Sequence, residues 1–201
     1  MVQRTAIILV GGEARRAGGR EKYFFSYRGE TFIDRLVTAL SKVADEIIVV
    51  ARDPEQCARF LHIGGVAIVP DIRTGIGPIG GIHAGVLQAR GDLVFIAACD
   101  MPCINPAVVE LLFSLIDTCD AAIPAWDENR LEPLHAVYRR TALLAYLRDH
   151  TSLSLRDMVR SIRARYIPVG LLRPMDPDLS TFTNINDLET LRRINHGHTE
   201  E

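Results

Sequence analysis

Five short apolar runs, separated by stretches of helical spacing, constrain this chain more than any other feature. They are Ala6-Ile7-Ile8-Leu9-Val10, Ile47-Ile48-Val49-Val50, Val66-Ala67-Ile68-Val69, Leu93-Val94-Phe95-Ile96-Ala97-Ala98 and Ala121-Ala122-Ile123-Pro124. Runs this short, rich in β-branched residues and unbroken by polar ones, read as strands buried on both faces of a parallel sheet. Between them, Phe32, Leu36, Val37 and Leu40 share one face of a helix predicted over 31–41. Further helices are predicted over 54–61, starting at Pro54, around 83–89 and over 106–117. Strands alternating with helices give right-handed βαβ units. The pattern then changes. Residues 134–138 form a strand that follows a polar turn (Asp127 to Arg130), so antiparallel pairing is expected there. Short helices at 140–149 and 154–163 precede a strand at 166–169. An extended segment from Phe182 to Asn186 leads into a closing helix from Asp187, and the tail from His196 is polar. The expectation is one three-layer α/β domain spanning 1–201, mostly parallel, with a late antiparallel segment.

Composition matters mainly for what it excludes. A net charge of −2 gives no support for a nucleic-acid or membrane-surface binder. No apolar run approaches the roughly 20 residues that span a bilayer, and the first apolar segment runs straight into a glycine loop instead of a cleavage site. A cytoplasmic protein is expected. Cys57, Cys99, Cys103 and Cys119 lie at irregular spacings that suit neither a disulfide framework nor a paired zinc site. They read as buried thiols.

In open parallel sheets, ligands bind beyond the carboxyl ends of the strands. Three notable features fall on such ends. The first is the loop from Gly11 to Lys22, which contains Gly12, Gly18, Gly19, Arg15, Arg16 and Arg20. Glycine N–H groups can approach phosphates closely, and Arg and Lys neutralise their charge. The loop has neither the spacing of a Walker A motif nor that of a dinucleotide fingerprint. It reads as a polyphosphate cradle or as a solvated surface loop. The second is Asp100, which follows six apolar residues and Cys99. A carboxylate there is placed either to bind Mg²⁺ together with substrate phosphates or to cap a helix. The third is Asp71, with Gly75, Gly77, Gly80 and Gly81 behind it, bordering a pocket or serving only tight turns. Asn184 and Asn186 share one side of the extended segment, and Asn186 also suits an N-cap. Glu132, His135 and Tyr138 lie where a second substrate could sit. His135 reads as a general base or, more simply, as a structural histidine.

Taken together, these stretches resemble a known family. The segment Leu9-Val10-Gly11-Gly12-Glu13-Ala14-Arg15-Arg16-Ala17-Gly18-Gly19-Arg20-Glu21-Lys22 is similar to the L-A-G-G-x-x-x-R-M-G-x-x-D-K pattern of nucleotidyltransferases. Four further stretches match, in order and spacing, the molybdenum cofactor guanylyltransferases (the MobA family) over about 5–194. They are Val69-Pro70-Asp71 with Gly77 to Gly81, Cys99-Asp100-Met101-Pro102, Glu132 to Tyr138, and Phe182 to Asn186. The chain departs from the pattern at Val10, Ala17 and Glu21, and Arg52 stands where some members have asparagine. The resemblance implies a Rossmann-like fold and transfer of GMP from MgGTP to the phosphate of molybdopterin, releasing pyrophosphate. It implies Leu9, Val10, Gly11, Gly12, Asp71, Gly77 and Gly81 around the nucleotide, and Arg16 and Lys22 on the triphosphate. Asp100 would lie on Mg²⁺, with Asn184, Asn186 and His135 toward the acceptor. GTP and molybdopterin are the implied substrates, with a cofactor-biosynthesis or molybdoenzyme-maturation protein as a further partner. A cytidylyl- or sugar-1-phosphate nucleotidyltransferase and a non-catalytic nucleotide-binding domain are the alternatives.

Overall fold

The computed structural model describes residues 2–11, 23, 25–27, 29–73, 75–149 and 152–185. Gly12, Arg15, Arg16, Arg20, Lys22, Asn186, the closing helix and the polar tail therefore lie outside the described residues.

The first apolar run forms β1 (Arg4–Leu9) at the middle of a seven-stranded sheet. Its alternate residues point to opposite faces, and both faces are apolar. Ala6, Ile8 and Val10 join one buried cluster, whereas Ile7 joins the other. Each fully buried isoleucine contributes about 1.5–3 kcal/mol. On either side of β1 lie β4 (Glu46–Ala51) and β6 (Leu93–Ala98), both parallel to it. β5 (Ala67–Pro70) extends the sheet beyond β4. The helix α1 (Phe32–Leu40), capped by Thr31, packs Ile33, Leu36 and Leu40 into the first cluster. α4 (Pro106–Leu115), which starts at Pro106 with Asn105 as cap, packs into the same cluster. On the other face lie α3 (Pro78–Gln88), α5 (Arg140–Asp149) and α6 (Leu155–Ser161). These two helical layers enclose the sheet, as the sequence predicts.

The second half of the sheet is less direct. β7 (Ala121–Ala125) does not add beside β6; β8 (His135–Arg139) takes that position, antiparallel to both. β9 (Ala164–Pro168) then pairs parallel with β7 and closes the order β5-β4-β1-β6-β8-β7-β9. Only β8 runs against the rest, so its entrance lies at the same sheet edge as the exits of the other six strands. A small hairpin of β2 (Ser26–Tyr27) and β3 (Glu30–Thr31) stands apart, and a short helix, α2 (Pro54–Ala58), follows β4.

One sequence expectation needs correction. The segment predicted to be extended from Phe182 begins instead as a 3₁₀ turn, Ser180–Phe182. Leu179 adopts a left-handed conformation (φ 53°), and the Asp176 carboxylate accepts the N–H groups of Ser180 and Thr181. The extended path starts only at Thr183. It leads Ile185 into a cluster with Phe25, Tyr27 and Phe32, beside the hairpin.

α3 sits unusually close to the sheet because Gly81 and Gly85 face it. A Cβ on Gly85 would fall 2.6 Å from Ile7 Cγ2 and 3.1 Å from Val50 Cγ2. Ile7 is fully buried in the central strand and cannot yield cheaply. Gly85→Ala gains about 1 kcal/mol of helix propensity but overpacks the core by about 1–3 kcal/mol. The expected outcome is a net loss of unfolding free energy in urea denaturation.

Candidate functional site

A cavity of about 590 Å³ opens at the carboxyl edge of the parallel strands. Its floor is the end of β1, where Leu9, Val10 and Gly11 line it. Two backbone hydrogen bonds hold that end in place: Val10 N–H donates to the Val50 carbonyl at 3.0 Å, and Cys99 N–H donates to the Leu9 carbonyl at 3.1 Å. Gly11 passes so near β4 that a Cβ there would lie 3.3 Å from the Arg52 nitrogen.

Asp71 stands where β5 ends. Its N–H donates to the Ala51 carbonyl at 2.7 Å, and its Oδ1 accepts the Arg73 N–H at 2.8 Å. Its carboxylate rests over the first turn of α3, where a Cβ on Gly80 would come within 2.7 Å of Oδ1. Gly77 caps that helix at φ 75°, a backbone conformation that suits glycine. Gly75, Gly77, Pro78 and Gly81 form the adjoining wall.

On the opposite side, β6 delivers Ala98, Cys99 and Asp100 to the cavity. The Asp100 carbonyl accepts the Ile185 N–H at 2.8 Å, which ties the last described segment to the mouth of β6. Leu134 completes the wall from the entrance of β8; its carbonyl accepts the Ala98 N–H at 3.2 Å. Among the described residues, no three potential ligands cluster as a dedicated metal cage. A carboxylate such as Asp100, at a cavity large enough for phosphates, suits Mg²⁺, which keeps its waters and takes few protein ligands.

Leu9, Val10, Gly11, Asp71, Gly77, Gly81 and Asp100 therefore share one cavity, although they come from three separate strand ends and a helix start. Asn184 is exposed one residue before Ile185, near Asp100 but outside the cavity lining. His135 is placed differently. It is fully buried beneath Leu134, with its ring edge-on to Phe95 and Phe182, and Nε2 lies 3.2 Å from the Thr181 hydroxyl. Burial pushes its imidazole down to about 3, so it is neutral. Tyr138 is also buried, and its hydroxyl donates to the Pro133 carbonyl. Glu132 accepts the Trp126 indole N–H at 2.7 Å, and burial raises its carboxyl above the usual range. The four cysteines are only partly buried.

Gln56, a residue not singled out in the sequence, joins the site. Gln56, fully buried in α2, accepts the Arg52 N–H through Oε1 at 2.6 Å and donates to the Tyr23 hydroxyl at 3.2 Å. Tyr23 and Arg52 both line the cavity. Gln56 thus cross-links the residue that follows the glycine loop to the end of β4. The only sequence signal was the motif Asp53-Pro54, a capped helix start that fixes where Gln56 points.

An open, mostly parallel sheet with a cavity at its carboxyl edge and one antiparallel strand late in the order is the framework of the Rossmann-like nucleotidyltransferases. Comparison with known proteins narrows this. The MobA-like NTP transferase domain matches residues 6–166. The chain is 37% identical to the probable molybdenum cofactor guanylyltransferase of Methanosarcina acetivorans, over 95% of this chain and 89% of that protein. It is 36% identical to the molybdenum cofactor guanylyltransferase of Desulfosudis oleivorans, over 94% and 93%. Among solved structures, molybdopterin-guanine dinucleotide biosynthesis protein A from Archaeoglobus fulgidus superimposes with a TM-score of 0.79 at 30% identity, covering 95% of this chain and 96% of that one. The chain belongs to the MobA-like NTP transferase family.

The buried histidine has a consequence for stability. Unfolded, it titrates near 6.5; folded, only near 3. Between these values the unfolded chain binds a proton that the native state does not. Stability therefore falls as pH drops through that window, by at most about 1.4 kcal/mol per unit. His135→Phe removes this titration. Urea unfolding from about pH 6 to about pH 4 should show a shallower loss in the variant than in the parent; identical slopes would remove His135 as the cause.

Proposed function

We propose that this chain is a molybdenum cofactor guanylyltransferase, transferring GMP from GTP to the phosphate of molybdopterin. The observation that carries the reading is the convergence of Gly11, Asp71 and Asp100 on one cavity, in a chain whose relatives bear that name. An oxygen of the acceptor phosphate attacks the α-phosphorus of GTP, the bond from that phosphorus to the β-phosphate bridging oxygen breaks, and pyrophosphate leaves. The acceptor oxygen is already deprotonated at neutral pH, so no strong general base is required. What the reaction needs is two anions held together and the leaving charge neutralised.

In this reading the backbone at Leu9, Val10, Gly11 and Gly12 lies against the nucleoside. Asp71 and the Gly77–Gly81 turn close its pocket, and Arg16 and Lys22 hold the triphosphate. Asp100 holds Mg²⁺, which when bound offsets the charge of the reacting phosphates. Asn184 and Asn186 flank the acceptor, and His135 supports the segment that enters β8 from behind. The half-enclosed walls from Leu134 to Tyr23 keep water from competing for the α-phosphorus. The reading also takes the enzyme to work in the cytoplasm. In the structure, no helix among the described residues is long and apolar enough to cross a membrane.

The test is pyrophosphate release with molybdopterin as acceptor and GTP, CTP or ATP as donor. GTP is expected to turn over; release from CTP but not GTP would make the chain a cytidylyltransferase. Asp100→Ala should abolish turnover and the Mg²⁺-dependent part of GTP binding while leaving the circular dichroism spectrum unchanged. A near-parental rate would remove the carboxylate from the metal. Lys22→Ala should lower kcat by about 10²–10³, the scale of other electrostatic stabilisers, and an unchanged kcat/KM would take Lys22 out of the site.

A further inference from the structure

We infer that Arg52 reads the base, through paired hydrogen bonds to the O6 and N7 acceptors of guanine. This assignment rests on the guanylyl-transfer reading and specifies how that site selects its nucleotide. Among the described residues that line the cavity, Arg52 is the one cation. It stands at the end of β4, whereas Asp100 stands at the end of β6 with β1 between them. Neighbouring strands lie about 4.8 Å apart, so the two residues are separated by about 10 Å across the cavity mouth. The phosphates belong at the Asp100 end, where the reaction takes place. A nucleotide lying across the strand ends therefore carries its base toward β4 and β5, where Arg52 is.

The side chain is held for such a task. Its Nε donates to Asp53 Oδ2 at 2.7 Å, while Asp53 Oδ1 accepts the Gln56 N–H at 2.7 Å as the cap of α2. The Gln56 N–H, and secondarily the Arg52 guanidinium, hold the Asp53 carboxyl below the usual carboxylate range. Below the side chain, the Arg52 N–H is fixed by the buried Gln56. A guanidinium anchored at Nε keeps a fixed plane, and a planar fork matches two acceptors side by side. Guanine offers that pair at O6 and N7; adenine sets a donor beside N7. On the same side of the cavity, at the end of neighbouring β5, Asp71 and the glycine backbone at the start of α3 adjoin the remaining face of the base.

The experiment is calorimetric titration with Mg²⁺ present, using GTP, 7-deaza-GTP (which lacks the N7 acceptor), CTP and ATP. The proteins are the parent, Arg52→Met and Arg52→Lys. Both substitutions keep the backbone N–H that Gln56 binds, and Arg52→Lys keeps the charge while removing the fork. The parent is expected to bind GTP about 10-fold or more tighter than 7-deaza-GTP or ATP. Both variants should lose that preference, Arg52→Met weakening GTP about 10- to 100-fold. If the parent binds GTP selectively and the variants keep the same GTP to 7-deaza-GTP ratio, the assignment of Arg52 is wrong and the guanylyltransferase reading stands. If the parent binds CTP better than GTP, both fall.

Discussion

The close seat of α3 on the central strands is the contact on which the site depends. Gly81 and Gly85 bring the helix against Leu9, Ile7 and Val50, and a Cβ on Gly85 would fall 2.6 Å from the fully buried Ile7. Because the helix lies so low, its first turn arrives level with the strand ends, and the Asp71 carboxylate can rest over Gly80. The cavity wall and the core packing are therefore one arrangement. Lifting the helix by the width of a methyl group would open this side of the cavity at the same time as it loosened the core.

A second constraint acts from the other side. β8 enters the sheet antiparallel between β6 and β7, so the segment leading into it meets the residues that leave β6. Leu134 and Asp100 can then face one cavity although 34 positions separate them in the sequence. The fully buried His135 and Tyr138 pack behind this entrance. Both act as packing groups: a neutral imidazole whose Nε2 lies beside the Thr181 hydroxyl, and a phenol whose hydroxyl donates to the Pro133 carbonyl.

Much of the framework was readable from residues alone, for a physical reason. Strands buried on both faces must be continuously apolar, so β1, β4, β6 and β7 announce themselves, and the part-buried edge strand β5 is apolar too. Carboxylates placed just after β5 and β6 mark the edge where the cavity opens. Strand order is different. Nothing in Ala121 to Ala125 says that β8 will intervene, because that depends on pairing energies between distant segments. Gln56 was equally invisible: a glutamine in a short polar helix looks solvated until Tyr23 and Arg52 are seen to close around it. His135 was ambiguous between chemistry and packing, since burial is a property of neighbours and not of the residue. The turn at Ser180 was missed because the left-handed Leu179 has no compositional mark.

The hydrogen bond from the Ile185 N–H to the Asp100 carbonyl joins the end of the described chain to the mouth of a strand in its middle. In the order of synthesis, β1, β4, β5 and β6 all leave the ribosome well before that partner exists. A nascent or truncated chain ending ahead of Asp176 would hold most of the sheet yet lack the segment that steadies Asp100. Such fragments would lack the contact that fixes the mouth of β6, which forms only as the stretch around Ile185 docks. The position of one amide thus ties the order at the end of β6 to a segment 85 residues further along the chain.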